Sequence, residues 1–229
     1  MTNLLGKKHF FESPDTHYDI RYFTTNLKMS DKHAIMFELL EELIDIANID
    51  NIKIILMHGG LIGWYWNKKI LPWDSDIDIS VSYEDFLILV THKYVHPRFH
   101  LDINPNYVNR QSLSKHHTKY DEPNKIDARI IDKTSGVYID ITALYSGKTG
   151  ILQTKCPHFY KYDDMYPLKI DVFENIPIYI PNNIKNVIIQ EYSKRATENK
   201  SYRGYTFDDD NQLWIQNRSR VHAKPTVSK

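Results

Sequence analysis

Three aspartates stand at alternate positions in Pro72-Trp73-Asp74-Ser75-Asp76-Ile77-Asp78-Ile79. Along an extended chain, residues i and i+2 share a face and lie about 6.6–7 Å apart. A strand over 76–82 therefore sets Asp76 and Asp78 side by side and sends Ile77, Ile79 and Val81 to the core, with Asp74 on the same parity if the strand begins that early. Carboxylates this close repel strongly in a low dielectric. A hard divalent cation that takes oxygen ligands, Mg²⁺ or Mn²⁺, relieves the repulsion. A fourth carboxylate, Asp140, lies in Gly136-Val137-Tyr138-Ile139-Asp140-Ile141-Thr142. There Val137, Ile139 and Ile141 make a continuous apolar face, which leaves Tyr138, Asp140 and Thr142 on the other. A carboxylate in the middle of a central strand is costly unless it is paired or metal-bound. Asp140 is accordingly expected to complete the cation site of Asp76 and Asp78, or to pair with Arg129 across a hairpin. An isolated Asp-x-Asp is most often a solvated strand face, so it is the ordered combination that carries the argument.

Upstream, Gly59-Gly60-Leu61-Ile62-Gly63 separates a β-branched run from a helix-like stretch. Glycines at a strand-to-helix turn let backbone N–H groups approach a phosphate, which makes Gly59, Gly60 and Gly63 candidate phosphate-binding positions. Arg129 joins them as a bidentate phosphate partner, with an ion pair to Asp127 or Asp132 as the plainer alternative. Trp73 abuts the carboxylates and suits the wall of a sugar- or nucleotide-stacking cleft, although aromatics beside a buried strand, Trp64 and Trp66 included, more often belong to the core. His58 could touch a phosphate or serve as a hydrogen-bonded structural residue. Asn104 and Arg110 border a polar loop and are weaker candidates. Cys156-Pro157-His158 would hold zinc only with ligands recruited elsewhere. His116-His117 reads as loop surface, and Asp208-Asp209-Asp210 as a solvated run.

The elements that must position these residues follow from periodicity. Residues 31–48 carry Ile35, Leu39, Leu43 and Ile46 at helical spacing behind the natural caps Ser30 and Asp31. Strands are expected at 52–57, 76–82, 99–103 and 176–180, the last of these closing the set. A hairpin of 126–132 and 137–142 is expected around Lys133-Thr134-Ser135-Gly136. Helices are expected at 61–68, 83–94 and 182–194. Residues 104–125 read as a long loop, and the chain beyond Tyr202 as polar and loosely attached. The domain plan is an irregular arm over 1–29, one domain over 30–215 and a polar tail over 216–229.

Composition narrows the function classes. The 229 residues include 29 Lys+Arg and 29 Asp+Glu, a formal net charge of zero, without the basic excess of a dedicated nucleic-acid binder. The single cysteine, Cys156, excludes an intrachain disulfide and a cysteine-rich zinc module. No stretch approaches the roughly 18 apolar residues of a membrane span, and the first residues lack a signal-peptide core, so the sequence reads as a soluble chain.

Glycine turn, Asp-x-Asp strand and a third aspartate on a later strand form the order of the nucleotidyltransferase fold: an α/β domain with a mixed central sheet flanked by helices. The segment HGGLIGWYWNKKILPWDSDIDI (58–79) resembles the LicD/fukutin family signature, in which Gly-x-Leu-Leu-Gly leads to Pro-Trp-Asp-x-Asp-x-Asp. The resemblance continues through 101–107, 126–142, 173–181 and the helix ending near Glu191-Tyr192, covers roughly 30–215, and is closest to fungal LicD-domain proteins of mannosylphosphate transfer. It implies a metal-dependent transfer of a phosphorylated group from a nucleotide diphosphate donor onto a glycan hydroxyl, with Asp76 and Asp78 on the cation and Asp140 as third carboxylate. Either Asp140 or Asp74 could instead accept the hydroxyl's proton. The family often carries Ser or Thr where Gly60 stands, so that hydroxyl contact is missing here. The implied partners are a nucleotide-activated donor, a glycan acceptor and, in an accessory-subunit alternative, a partner transferase; nucleic acid is not among them. The Golgi lumen is the compartment the resemblance implies for an anchored or partnered chain.

Overall fold

A computed structural model describes residues 9–13, 16–105, 107, 126–147, 150–155 and 158–217. Arg110, His116, His117, Cys156 and most of the expected 104–125 loop lie outside the described residues. The longest helix, α1 (Met29–Asp50), buries Met36, Leu39, Leu40, Leu43 and Ile46, a stripe wider than the four expected positions. Its start differs from expectation. Lys28 occupies the N-cap without a side-chain cap bond, and Ser30 and Asp31 lie inside the first turn. It ends at Asn51, which takes a left-handed φ of 56° and donates its N–H to Ala47 O, as asparagine tolerates well.

The stripe of α1 packs on a mixed central sheet. In spatial order its strands are β10 (Lys169–Phe173), β11 (Ile176–Ile180), β3 (Ile55–Met57), β4 (Asp78–Ser82), β7 (Tyr138–Ser146), β6 (Ala128–Asp132) and β5 (Phe99–Ile103). The hairpin of β8 (Ile151–Gln153) and β9 (Phe159–Lys161) extends it from β7. β4 runs parallel to β7 and β11 parallel to β3, and the remaining neighbours are antiparallel. Strand alternation gives the sheet two unlike faces. Ile79, Val81, Ile130, Ile139, Ile141 and Ala143 join the main core with α1. The opposite parity carries Asp78, Arg129, Tyr138, Asp140 and Thr142. Helix α2 (His58–Asn67) follows β3 directly, and α3 (Tyr83–Thr91) follows β4, its N-cap Ser82 accepting from Asp85 N–H at 3.0 Å.

Two expectations are corrected at the chain's ends. Residues 1–29 are not an irregular arm throughout, because β1 (Phe10–Ser13) and β2 (Thr16–Asp19) form an antiparallel hairpin. Phe10 buries itself with Ile131 and Tyr138, and Asp19 N–H donates to Gly136 O at 2.7 Å, so the hairpin closes over the polar face of the sheet. The strand at 176–180 is not the last. A meander of β12 (Ser201–Tyr202), β13 (Tyr205–Asp208) and β14 (Leu213–Gln216) follows, and Phe207 and Trp214 pack on Trp66. The polar composition beyond 202 concealed this because four aromatic residues, spaced across three short strands, carry the packing. Between β9 and the meander lie the short helix α4 (Tyr162–Met165), α5 (Ile184–Tyr192) and α6 (Arg195–Glu198). Among the described residues no helix is long and apolar enough to cross a membrane.

Candidate active site

The antiparallel and parallel registers build a row of charge across one face of the sheet. Asp102 of β5 faces Arg129 of β6, Arg129 faces Asp140 of β7, and Asp140 faces Asp78 of β4. Asp78 and Asp140 thus share a face in adjacent parallel strands, as the parity argument required; Asp140 is buried and Asp78 half-buried. Asp76 does not share the strand, which begins at Asp78. It lies in the preceding segment with Asp74, and all of Asp74, Asp76 and Asp78 line one cleft of about 590 Å³.

Arg129 is committed to structure. Its Nε lies 2.6 Å from Asp140 Oδ1, its Nη2 lies 3.2 Å from Glu12 Oε1, and its guanidinium sits 3.7 Å from the Phe10 ring centroid and 5.0 Å from that of Tyr138. Asp132, one of the two expected partners, binds Arg98 at 2.9 Å, and Asp127 accepts the N–H of Ala143 at 2.9 Å. The expectation that Arg129 meets donor phosphate is therefore corrected: the β1–β2 hairpin covers it and Asp140 occupies it.

The glycines divide. Gly59 lines the cleft, and a Cβ there would fall 2.3 Å from Asp74 Oδ2. A Cβ on Gly60 would meet Leu56 of the core at 2.7 Å, and one on Gly63 would meet the Lys69 carbonyl oxygen at 2.2 Å. Neither Gly60 nor Gly63 is among the cleft's lining residues. Gly63 instead lets the chain double back against α2 after Lys68, and this return delivers Pro72-Trp73-Asp74 to the mouth of the cleft.

Asp74, Asp78 and Asp140 hold protons more tightly than usual. Burial, then the charge of Asp76 and a hydrogen bond to it, push the Asp74 carboxyl well above the ordinary range. Burial and Asp76 do the same to Asp78, against an opposing pull from His58. Asp140 is pushed up to about 7, chiefly by burial, with Arg129 opposing and Asp76 adding to the rise. These oxygens suit a hard cation in kind and charge, and the crowding of Asp74 against Asp76 is what such a charge would relieve. They are fanned rather than converged: among the described residues no three of these four aspartates place ligand atoms within 4.8 Å of one another. Side-chain rotation toward Asp76 is needed to gather them on one ion.

Several contributors were not visible beforehand. His17 of β2 bonds Ser75 Oγ through Nδ1 at 2.7 Å and points Nε2 at Asp76 Oδ2, 3.7 Å away. Tyr192, Arg195, Tyr202, Arg203 and Trp214 line the same cleft as the aspartates. Trp73 stands among Tyr202, Tyr205 and Trp214 at ring-centroid distances of 5.4, 5.3 and 4.9 Å, so it is both cleft wall and packing centre. A turn signal at Arg203-Gly204 was available in the sequence, but nothing tied it to the aspartates.

A family model described as LicD/FKTN/FKRP, nucleotidyltransferase domain, matches residues 51–183. Mannosyltransferase regulator 4 of Saccharomyces cerevisiae is 28% identical over 163 residues, covering 62% of this chain and 13% of that protein. Mannosyltransferase regulator 14 of the same yeast is 27% identical over 162 residues, covering 61% of this chain and 17% of that protein. An uncharacterized protein of Rickettsia prowazekii is 26% identical over 159 residues, covering 68% of this chain and 53% of its own length. The chain thus spans between 13% and 53% of the length of these curated relatives.

Proposed function

The chain belongs to the LicD/FKTN/FKRP family of nucleotidyltransferase domains, and on that footing we propose that it is a metal-dependent phosphotransferase acting on glycans. It moves a phospho-sugar, mannosyl phosphate above all, from a nucleotide diphosphate donor onto a glycan hydroxyl. The observation that carries this reading is the cleft lined by Asp74, Asp76 and Asp78, with Asp140 the register partner of Asp78 on the neighbouring strand. Asp76 and Asp78 would hold a Mg²⁺ or Mn²⁺ ion, with Asp74 or Asp140 adding an oxygen; when bound, the ion neutralises the diphosphate and the charge growing on the leaving nucleotide. Arg195 and Arg203, which line the same cleft, would bring positive charge to the donor phosphates, and the rings of Trp73, Tyr202 and Trp214 offer faces to a base or sugar. Asp74 is the carboxyl assigned to take the hydroxyl's proton. It reaches the cleft, which Asp140 does not line, and its raised proton affinity suits a general base.

A second reading keeps the fold and drops the chemistry: an accessory subunit that acts on a partner transferase. The word regulator in the names of the two yeast relatives favours it. One experiment separates the readings. Thermal shift with nucleotide sugars, with and without Mg²⁺ or Mn²⁺, followed by transfer assays on Asp76→Asn/Asp78→Asn, should show cation-dependent donor binding and a loss of about 100-fold or more in turnover. Donor binding indifferent to cation and to both substitutions would leave the accessory reading standing.

A further inference from the structure

Beside the aspartates lies a second group of metal-ligating side chains with different chemistry. His58 opens α2, His158 immediately precedes β9, and Glu191 sits in the last turn of α5. Each offers one ligand atom, and the three atoms all lie within 4.8 Å of one another; among the described residues this is the group of three that converges so. We propose that His58, His158 and Glu191 form a binding site for a transition-metal ion of the Zn²⁺ class, separate from the cation site of the aspartates.

Geometry and donor type carry the assignment. Two imidazoles and one carboxylate are the donors that Zn²⁺ accepts with one coordination position left open, whereas Mg²⁺ seeks oxygens. His58 Nδ1 and Glu191 Oε2 already stand 3.1 Å apart, and the two imidazole rings lie 4.8 Å apart between centroids. Ligands of a tetrahedral zinc, at about 2.0–2.1 Å each, sit roughly 3.4 Å from one another. Shifts on the order of 1 Å close the group, and His158 is only half-buried and can swing. The outer support a metal ligand needs is in place, since the other oxygen of Glu191 accepts a hydrogen bond from the Tyr160 hydroxyl. A plain His58–Glu191 ion pair accounts for two of the three residues but gives His158 no reason to converge on them.

The site ties α2, the β9 hairpin and α5 together one residue from the catalytic floor, because Met57, which precedes His58, is the register partner of Asp78. Sequence alone could not assemble it. His158 lay in a stretch short of ligands, and the two that complete it come from positions 58 and 191.

Chelator-stripped protein titrated with Co²⁺ and then Zn²⁺ tests the proposal. The parent should bind one equivalent of Co²⁺ with the intense visible bands of a four-coordinate ion, and Zn²⁺ should bleach them. His158→Ala, a substitution at a half-exposed side chain, should lower the affinity by about tenfold or more while far-ultraviolet circular dichroism is unchanged; outer-shell losses alone reach that scale. Asp76→Asn/Asp78→Asn should keep the signal, which separates this site from the one proposed for phosphotransfer. No saturable Co²⁺ or Zn²⁺ binding by the parent, equal affinity in His158→Ala, or loss of the signal in the aspartate variant would each overturn it.

Discussion

At the scale of single residues, the fate of Asp140 decides how the aspartate cluster is held. Its carboxyl lies in a central strand between Asp78 and Arg129, and only the latter carries compensating charge. A buried ion pair contributes little against an apolar replacement, but removing one partner strands the other in a low dielectric at a cost of about 3–5 kcal/mol. Arg129→Met should therefore lower stability by about 3 kcal/mol, read as a shift of the urea midpoint at constant slope. Arg129→Met/Asp140→Asn should recover more than half of that loss. A double variant as unstable as the single one would mean that Arg129 acts through Glu12 and Phe10 and not through Asp140. The same pairing explains why the donor role of Arg129 was misread. The sequence shows an arginine on the polar parity of a strand, but the aromatic and acidic cover that removes it from solvent comes from Phe10 and Glu12, more than a hundred positions away.

At the scale of elements, the β6–β7 turn and the start of α2 show two ways in which short segments hold long-range geometry. The Asp132 carboxylate gathers the turn: it accepts from Thr134 N–H at 3.3 Å, from Ser135 Oγ at 2.5 Å and from Arg98 Nε at 2.9 Å. Burial alone would push its carboxyl up, but Arg98, Ser135 and Thr134 outweigh burial and hold it below the ordinary 3.8. A folded-state value below the unfolded one contributes stability above pH 3.8, and that contribution is lost as pH falls through the depressed value. Asp132→Asn should thus cost about 2 kcal/mol at neutral pH. The gap from the parent should narrow steadily in denaturation series run from pH 5 to pH 2; a constant gap would show that the charge is not what matters. The glycines of α2 make a contrasting pair. Gly63→Ala drives a methyl into the Lys69 carbonyl, a backbone atom that cannot step aside, and should cost about 1–3 kcal/mol in thermal unfolding. Gly59→Ala meets the Asp74 carboxylate, which can rotate, so stability should change by less than about 1 kcal/mol while Mn²⁺ affinity measured by calorimetry changes. Equal destabilisation by the two would contradict the division drawn between them. Elements such as these were legible where periodicity is strong: α1, β5, β11 and the β6–β7 hairpin fall close to their expected bounds. The glycine segment was legible as a turn but not in its function, because only the returning chain at 68–71 reveals which glycine faces the core, which faces backbone and which faces the cleft.

At the scale of the whole molecule, the floor and the walls of the candidate site come from different parts of the chain. The family match ends at 183 and begins at 51, and within it lie Asp74, Asp76, Asp78 and Asp140. The β1–β2 hairpin that brings His17 to Asp76, and the α5–β14 segment that brings Tyr192, Arg195, Tyr202, Arg203 and Trp214, lie outside it. Both were underestimated from sequence for one physical reason. Their stabilising contacts are aromatic and long-range, and short strands of mixed polarity leave no periodic trace. Under the proposed function, the matched domain would carry the reaction chemistry and its flanks the substrate selection, and Trp214 is the residue on which the two meet. Its ring lies 4.9 Å from Trp73, 5.2 Å from Trp66 and 5.2 Å from Phe207 between centroids. Aromatic pairs of this kind contribute about 0.5–1.5 kcal/mol each beyond area burial, so Trp214→Ala removes on the order of 2–3 kcal/mol from a meander held to the sheet chiefly by that cluster. The central sheet, whose core of Ile79, Ile139, Ile141 and the α1 stripe is untouched, should keep its circular dichroism and most of its thermal stability. Limited proteolysis should cut the variant within 199–217 at least about tenfold faster than the parent, since cleavage follows the population of the locally opened state. Under the proposed function, donor nucleotide affinity should fall with it while Mn²⁺ affinity stays within about twofold, because the cation would meet the aspartates and the donor the aromatic wall. If cation and donor affinity fall together, the meander supports the floor as well, and the separation of chemistry from selection does not hold.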